Sequence, residues 1–335
     1  MSIYNFNLTY LPEMKYLCFK NCVYQILEYF GMENPLQYIY TGFQPILCVY
    51  KDEFMASRKP LHACSKYSFI HEGRGVDFYE VLKHNHNQLD AKLNPIVVVD
   101  TFYLPYRIEY GKHHGAHTVI LCDVQNNAVK IIDWYDVTLF KGEISIQEFY
   151  KARTSLCNDQ SNPFAQRPIE NAWYLVERNK IDNHLRIKII SENLNQLTHD
   201  ENPNIRLELC GKQCLVFLKD ILLKYQMNSE MEKMMLMKKL HDTLFSFFST
   251  AKLTKVYLNT VIQRATESDV TSCIDVLIKL LHKISFQSLK CSVKYTASTY
   301  VQIVEEFEFL IAAYVKLQVT AKESIFLKDI ERIQL

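Results

Sequence analysis

Cys18, His117 and Asp133 are the residues whose types and settings suit nucleophilic chemistry at a thiol. A cysteine attacks well when its pKa is lowered, a histidine handles its proton and a third group orients that histidine. The stretch CFKNCVYQILEYFG begins at Cys18, after the loop-like LPEMKYL, and its apolar spacing predicts a buried-face helix ending at Gly31. A helix start offers unpaired N–H groups and the positive dipole end, both of which favour a thiolate. Cys22 lies one turn further in, where its amide is used by the helix ladder, so Cys18 is preferred as nucleophile. Taken alone, either cysteine reads as a small buried hydrophobe.

His117 stands immediately before the apolar run TVIL, and the following run, VKIID, ends in Asp133. Two antiparallel strands joined through residues 123–128 would bring the start of one beside the end of the other, and so an imidazole beside a carboxylate. Asp133 also reads as a turn residue, with Asp136 as the alternative partner. The run HHGAH offers no carboxylate or cysteine at matching spacing, so no metal site is expected; His113 and His114 are read as loop residues lining the cleft. The pairs Cys18/Cys22 and Cys210/Cys214 sit at i,i+4 spacing on apolar faces and lack a second ligand pair at zinc-finger spacing.

These residues need a scaffold. Short β-branched runs at 95–99, 118–121, 129–132 and 173–176 predict an antiparallel sheet. A second helix is expected over Val76–Leu82, and Ser145 with Glu148 gives a capping-box start to a third. The polar, proline-bearing stretch 192–204 reads as a boundary, with helical runs beyond it near 205–226, 229–250, 253–266, 268–285 and 293–330. The expected organisation is α+β: residues 1–190 with an N-terminal helix packed on an antiparallel sheet, then an all-helical domain over 191–335. The cluster Met231, Met234, Met235 and Met237 reads as core filling or an adaptable binding surface.

Lys and Arg number 38 against 37 Asp and Glu, which gives no basic footprint for nucleic acid and no polybasic membrane patch, so neither nucleic acid nor membrane is an expected partner. Only 8 glycines are present and no phosphate-cradling glycine motif occurs. No signal-peptide pattern and no run of 18 apolar residues is seen, so ten cysteines are expected as reduced thiols in a cytoplasm.

Three segments carry a resemblance. CFKNCVYQILEYFG, then VDTFYLPYRIEYGKHHGAH, then HTVILCDV with VKIIDWYD resemble the butirosin-biosynthesis protein H N-terminal domain family, a set of papain-like cysteine acyltransferases. The likeness covers about residues 10–180, and the D-x-x-Y-L-P-Y segment, Asp100 to Tyr106, is its most specific part. The His-strand-turn-strand-Asp pattern is also similar to that of bacteriocin-processing cysteine peptidases. Those relatives carry a Gln before the nucleophile as oxyanion donor; here no Gln precedes Cys18, and Pro12 occupies the region. The resemblance implies a papain-like fold and acyl transfer through acyl-Cys18, from a thioester on the phosphopantetheine of an acyl or peptidyl carrier protein to a small amine or hydroxyl acceptor. It implies a place in secondary-metabolite assembly of the nonribosomal-peptide or antibiotic kind, with no resident cofactor. Tyr103, Tyr106, Arg107 and His114 are the expected substrate contacts, strand-end packing being the other reading of the two tyrosines. A peptidase or carrier-releasing thioesterase using the same residues is the alternative, the sequence leaves the assembly open between monomer and homodimer, and the helical half is expected to supply carrier or acceptor contacts.

Overall fold

The computed structural model describes residues 3–7, 9, 11, 14, 17–40, 43, 45–50, 53–56, 68–74, 94–125, 127–135, 138–156, 169–198, 208–262 and 269–325. In chain order the elements are α1 (Cys18–Tyr29), α2 (Leu36–Ile39), β1 (Ile46–Tyr50), β2 (Glu53–Ala56), β3 (Ile70–Gly73), β4 (Ile96–Asp100), β5 (Ala116–Gln125), β6 (Ala128–Tyr135), β7 (Thr138–Ser145), α3 (Ile146–Thr154), β8 (Trp173–Val176), α4 (Asn183–Thr198), β9 (Glu208–Cys210), α5 (Lys212–Lys224), α6 (Glu230–Tyr257), α7 (Asp269–Val293) and α8 (Ala297–Ile325). The fold is α+β. It forms two compact units, Met1–Ile39 with Pro60–Leu185, and Tyr40–Lys59 with Arg186–Leu335.

The first unit is built on a six-stranded antiparallel sheet in the order β3-β8-β4-β5-β6-β7. Its central strands read as continuous apolar runs because both faces are covered. Val97, Val99, Val119, Leu121, Val129 and Ile131 pack with Phe149 and Ala152 of α3. Ile96, Ile120 and Ile132, at the alternate positions, are buried too, and α1 packs against β5 and β6. Within α1 the expected face is buried: Cys22, Val23, Ile26 and Leu27. The helix stops at Gly31 (φ 72°) in a Schellman arrangement, with Gly31 N–H donating to Glu28 O (2.9 Å) and Met32 N–H to Leu27 O (3.0 Å). Ser145 caps α3 through Glu148 N–H at 3.1 Å.

The second unit contains α5 to α8 and a small antiparallel sheet, β2-β1-β9. Tyr40 stacks on Tyr257 at 4.1 Å and donates to Thr254 Oγ1 at 2.8 Å. Ser229 and Glu232 close a capping box at the start of α6.

Several local expectations change. The run read as one helix over 205–226 begins with a strand, β9, that pairs with β1 through Leu47 and Leu209. The stretch 192–204, read as a boundary, is helical through Thr198, because Ile189, Ile190 and Asn193 are buried and hold α4 together past its polar tail. The runs at 229–250 and 253–266 are one helix through Tyr257, followed by a π turn over Leu258–Ile262. The helix expected over 76–82 lies outside the described residues. Of the methionine cluster, Met237 is core, whereas Met231 and Met235 are exposed.

Candidate active site

The first turn of α1, the start of β5 and the end of β6 meet at one place. Leu17 precedes the helix without a side-chain cap. The approach to it is tied by Leu17 N–H to Met14 O (2.8 Å) and by the buried Asn21 Nδ2 to the same carbonyl (2.8 Å). Asn21, one turn inside the helix, therefore holds the backbone that presents Cys18. Nothing in the local pattern marks it except a polar residue, like Gln25 one turn further on, among the buried positions of the helix.

β5 and β6 pair with Ile120 opposite Ile132. One residue further along that register Asp133 is level with Val119, so His117 is its diagonal neighbour on the same face, within reach of two polar side chains. His117 Nε2 lies 2.7 Å from Asp133 Oδ1, and both residues are buried. The Cys18 side chain hydrogen-bonds to the same imidazole. With Nε2 on the carboxylate, Nδ1 is the nitrogen left for sulfur. The three residues singled out from sequence form one hydrogen-bonded chain.

Asp133 is held from the other side by two residues of the 101–115 loop. Tyr106 Oη donates to Oδ2 at 2.8 Å, and Arg107 Nη1 donates to it at 3.2 Å. Arg107 in turn reaches Glu109 through Nε (3.3 Å) and Nη2 (3.4 Å), and its side chain is only 8% exposed. Tyr106 stacks on Phe140 at 3.7 Å, and that ring lies where a side chain at Gly142 would stand, since a Cβ there would come within 2.5 Å of it. Tyr106 and Arg107, expected from sequence to touch substrate, bond Asp133 through the tyrosine hydroxyl and Arg107 Nη1, while Arg107 Nε and Nη2 turn to Glu109, an arrangement suited to holding the carboxylate in place. Glu109 was not anticipated, because its partner is set by the loop's closure.

Arg107 Nη1 also lies 3.0 Å from His117 Nε2. A guanidinium only donates, and Nε2 cannot both accept from it and donate to Asp133. The shorter contact decides: Nε2–H donates to Asp133, and the guanidinium cation stands beside the ring.

The charges are consistent with that assignment. Burial alone would push the His117 pKa down, but Asp133 and Cys18 outweigh it and raise it from 6.5 to about 9. Burial would raise Asp133, yet His117 and Arg107, with the Tyr106 hydroxyl, hold its carboxyl below the usual range. Cys22 is different. Burial, with Cys18 and Asp133 adding to it, pushes its thiol well above the ordinary value, and its Sγ sits 3.6 Å from Thr118 O. Cys22 is thus held as a neutral thiol one turn behind Cys18.

The loop's ends are tied by Asp100, the first residue of the D-x-x-Y-L-P-Y segment. This fully buried carboxylate accepts from Phe102 N–H (3.0 Å), Gly115 N–H (3.1 Å) and Ser155 Oγ, and from His114 Nδ1 at 2.7 Å. His114 stacks on Phe102 at 4.3 Å, with Tyr103 edge-on to it at 6.2 Å. His114 and Tyr103 therefore belong to the clamp that closes the loop, with His114 still part-exposed. Asp136, the alternative partner for the histidine, lies outside the described residues. Among the described residues no group of three or more His, Cys, Asp or Glu is arranged to hold a metal, and no described helix is long and apolar enough to cross a membrane.

No known family's sequence model and no curated protein matches the chain.

Proposed function

We propose that the chain is a cysteine acyltransferase whose first unit is a papain-like catalytic domain. The continuous chain Cys18–His117–Asp133 at a helix start carries this reading. The Cys18 thiolate attacks the carbonyl carbon of an acyl thioester borne on a carrier protein's phosphopantetheine. The carbonyl–sulfur bond to the carrier breaks, and the departing thiolate takes the proton that His117 holds. The acyl group then rests on Cys18. An amine or hydroxyl acceptor attacks the acyl-Cys18 carbonyl and gives its proton to His117, and Cys18 leaves as thiolate. Exchange of one thioester for another is nearly neutral in energy, which suits a thiol nucleophile to this donor. Asp133 keeps Nε2 protonated throughout, so that Nδ1 serves both half-reactions, a role worth about 10²–10⁴-fold. The likeness of Cys18–Gly31 and Asp100–Tyr106 to the acyltransferase family supports the choice of donor.

Intact-mass analysis after incubation with acyl-loaded carrier protein tests the proposal. The expected result is an acyl adduct that survives Cys22→Ala, disappears in Cys18→Ala and is discharged by an acceptor amine as an amide. Discharge only to free acid would make the protein a thioesterase or peptidase, and an adduct on Cys22 would refute the assignment.

A further inference from the structure

The chain's charge is balanced overall but not locally. From Leu277 to Val304, across the second half of α7 and the start of α8, there are four lysines, one histidine and no carboxylate. Lys279, His282, Lys283, Phe286, Lys290 and Lys294 recur at helical spacing along about 20 Å of α7. This face is exposed, because the opposite one, with Leu277, Leu281, Ile284, Ser288 and Cys291, fills the core.

Large apolar side chains stand among the lysines. Val293 is 76% exposed and Phe286 49%, and Val301 at the start of α8 is exposed as well. Lys290 Nζ lies 4.7 Å over the Phe286 ring. A groove at the tip of the α7–α8 hairpin is lined by Leu289 and Val293 together with Lys290, Lys294, Thr296 and Thr299. Three carboxylates of the neighbouring helices are engaged, one of them with a member of the row, and Glu305 lies exposed on α8 just past the segment. Glu306 pairs with Lys283 at 2.7 Å, Glu308 with Lys219, and Glu232 with the Ser229 cap. Lys233 of α6 adds a further cation, 5.3 Å over Tyr295.

We propose that this exposed face of α7, ending at the hairpin tip, docks on an anionic phospholipid membrane surface, with Val293 and Phe286 entering the headgroup boundary and Lys279, Lys290 and Lys294 meeting the lipid phosphates. The side-chain types favour a lipid surface over an acidic protein. Every fixed cation in the segment is a lysine, a point charge suited to a mobile sheet of anions; arginine forks, which fix carboxylates in one geometry, are absent from it. Val293, the most exposed apolar side chain of the segment, stands at the tip, as a membrane wedge requires. The proposal is independent of the chemistry at Cys18.

Co-sedimentation of the full chain with vesicles tests it. The expected result is binding to phosphatidylcholine vesicles containing about 30% phosphatidylserine, weaker by about tenfold or more on pure phosphatidylcholine and in high salt. Lys290→Gln with Lys294→Gln should weaken binding about thirtyfold, at roughly fivefold for each lysine. Val293→Asp should also release the protein, whereas Lys112→Gln, exposed in the first unit, should not. Circular dichroism and melting of each variant establish that the fold is intact. Equal binding to neutral and anionic vesicles, or unchanged binding by the double variant, overturns the proposal. So does absence of vesicle binding, and with it capture of an amphipathic Glu-rich helical peptide would identify a protein partner instead.

Discussion

Replacing Asp133 by Asn probes the site with least change of shape. The carboxylate faces donors on both oxygens: His117 Nε2 on Oδ1, and Tyr106 and Arg107 on Oδ2. An asparagine has one acceptor oxygen and one NH₂. The guanidinium has no acceptor, so the oxygen must turn to Arg107 and the NH₂ to His117. Nε2 then becomes the acceptor, and the ring's proton moves to Nδ1, the side from which it must serve Cys18. His117 also loses the charge that holds its pKa near 9. The His117 pKa should therefore fall, weakening the preference for the imidazolium by roughly 1.4 kcal/mol per unit. The rate of Cys18 acylation should fall about 10³–10⁴-fold, the scale of a wrong-tautomer triad. The assay is the pH dependence of Cys18 alkylation by iodoacetamide, read by intact mass, in parallel with the acyl-transfer rate. In the parent protein alkylation should reflect an imidazolium beside Cys18 that persists up to about pH 9; in Asp133→Asn that limb should move to lower pH. An Asp133→Asn protein with an unchanged limb and more than about a tenth of the rate would refute this tautomer argument.

Cys22→Ala should leave Cys18 alkylation and acylation nearly unchanged, since its buried neutral thiol has no part in the hydrogen-bonded chain, and should cost on the order of 1 kcal/mol in denaturant melts. Tyr106→Phe removes a 2.8 Å hydrogen bond to a buried carboxylate and should destabilise the protein by about 1.5–3 kcal/mol, with the alkylation limb shifting because Asp133 is held less firmly below the carboxylate range. The pH profile of stability has two flanks. A histidine raised to about 9 contributes fully below pH 6.5, and its contribution is lost as pH rises through about 9. A carboxylate held low contributes above the ordinary range and is lost on acidification. Chemical denaturation of His117→Gln should therefore lose the alkaline flank specifically, and a variant that kept it would contradict the ion-pair picture.

What was legible in the sequence was local. The apolar spacing from Cys18 to Phe30 and the glycine after it gave the helix, its buried face and its stop, because each depends on neighbours within one turn. His117 and Asp133 were legible because two consecutive strands with a short connection bring their ends together, although Asp136 stayed open as the partner until the register placed His117 and Asp133 on one face. Arg107 and Tyr106 were visible as unusual residues, but their partner was not. The loop bearing them folds back only because Asp100 gathers Phe102, His114 and Gly115, and that closure spans fifteen residues. The small sheet was illegible for a similar reason: β9 has three residues and pairs with a strand about 160 positions earlier, so no local pattern announces it. Chain-wide charge balance likewise concealed the lysine row of α7, because the compensating carboxylates lie elsewhere in the sequence.

The most direct test is the mass of the protein after brief exposure to an acyl-loaded carrier protein, with Cys18→Ala and Cys22→Ala alongside. Acyl transfer through Cys18 predicts one acyl adduct in the parent and in Cys22→Ala, none in Cys18→Ala, and loss of the adduct to an amide when an acceptor amine is added. An adduct that persists in Cys18→Ala, or no adduct in the parent with any acyl carrier, would contradict it.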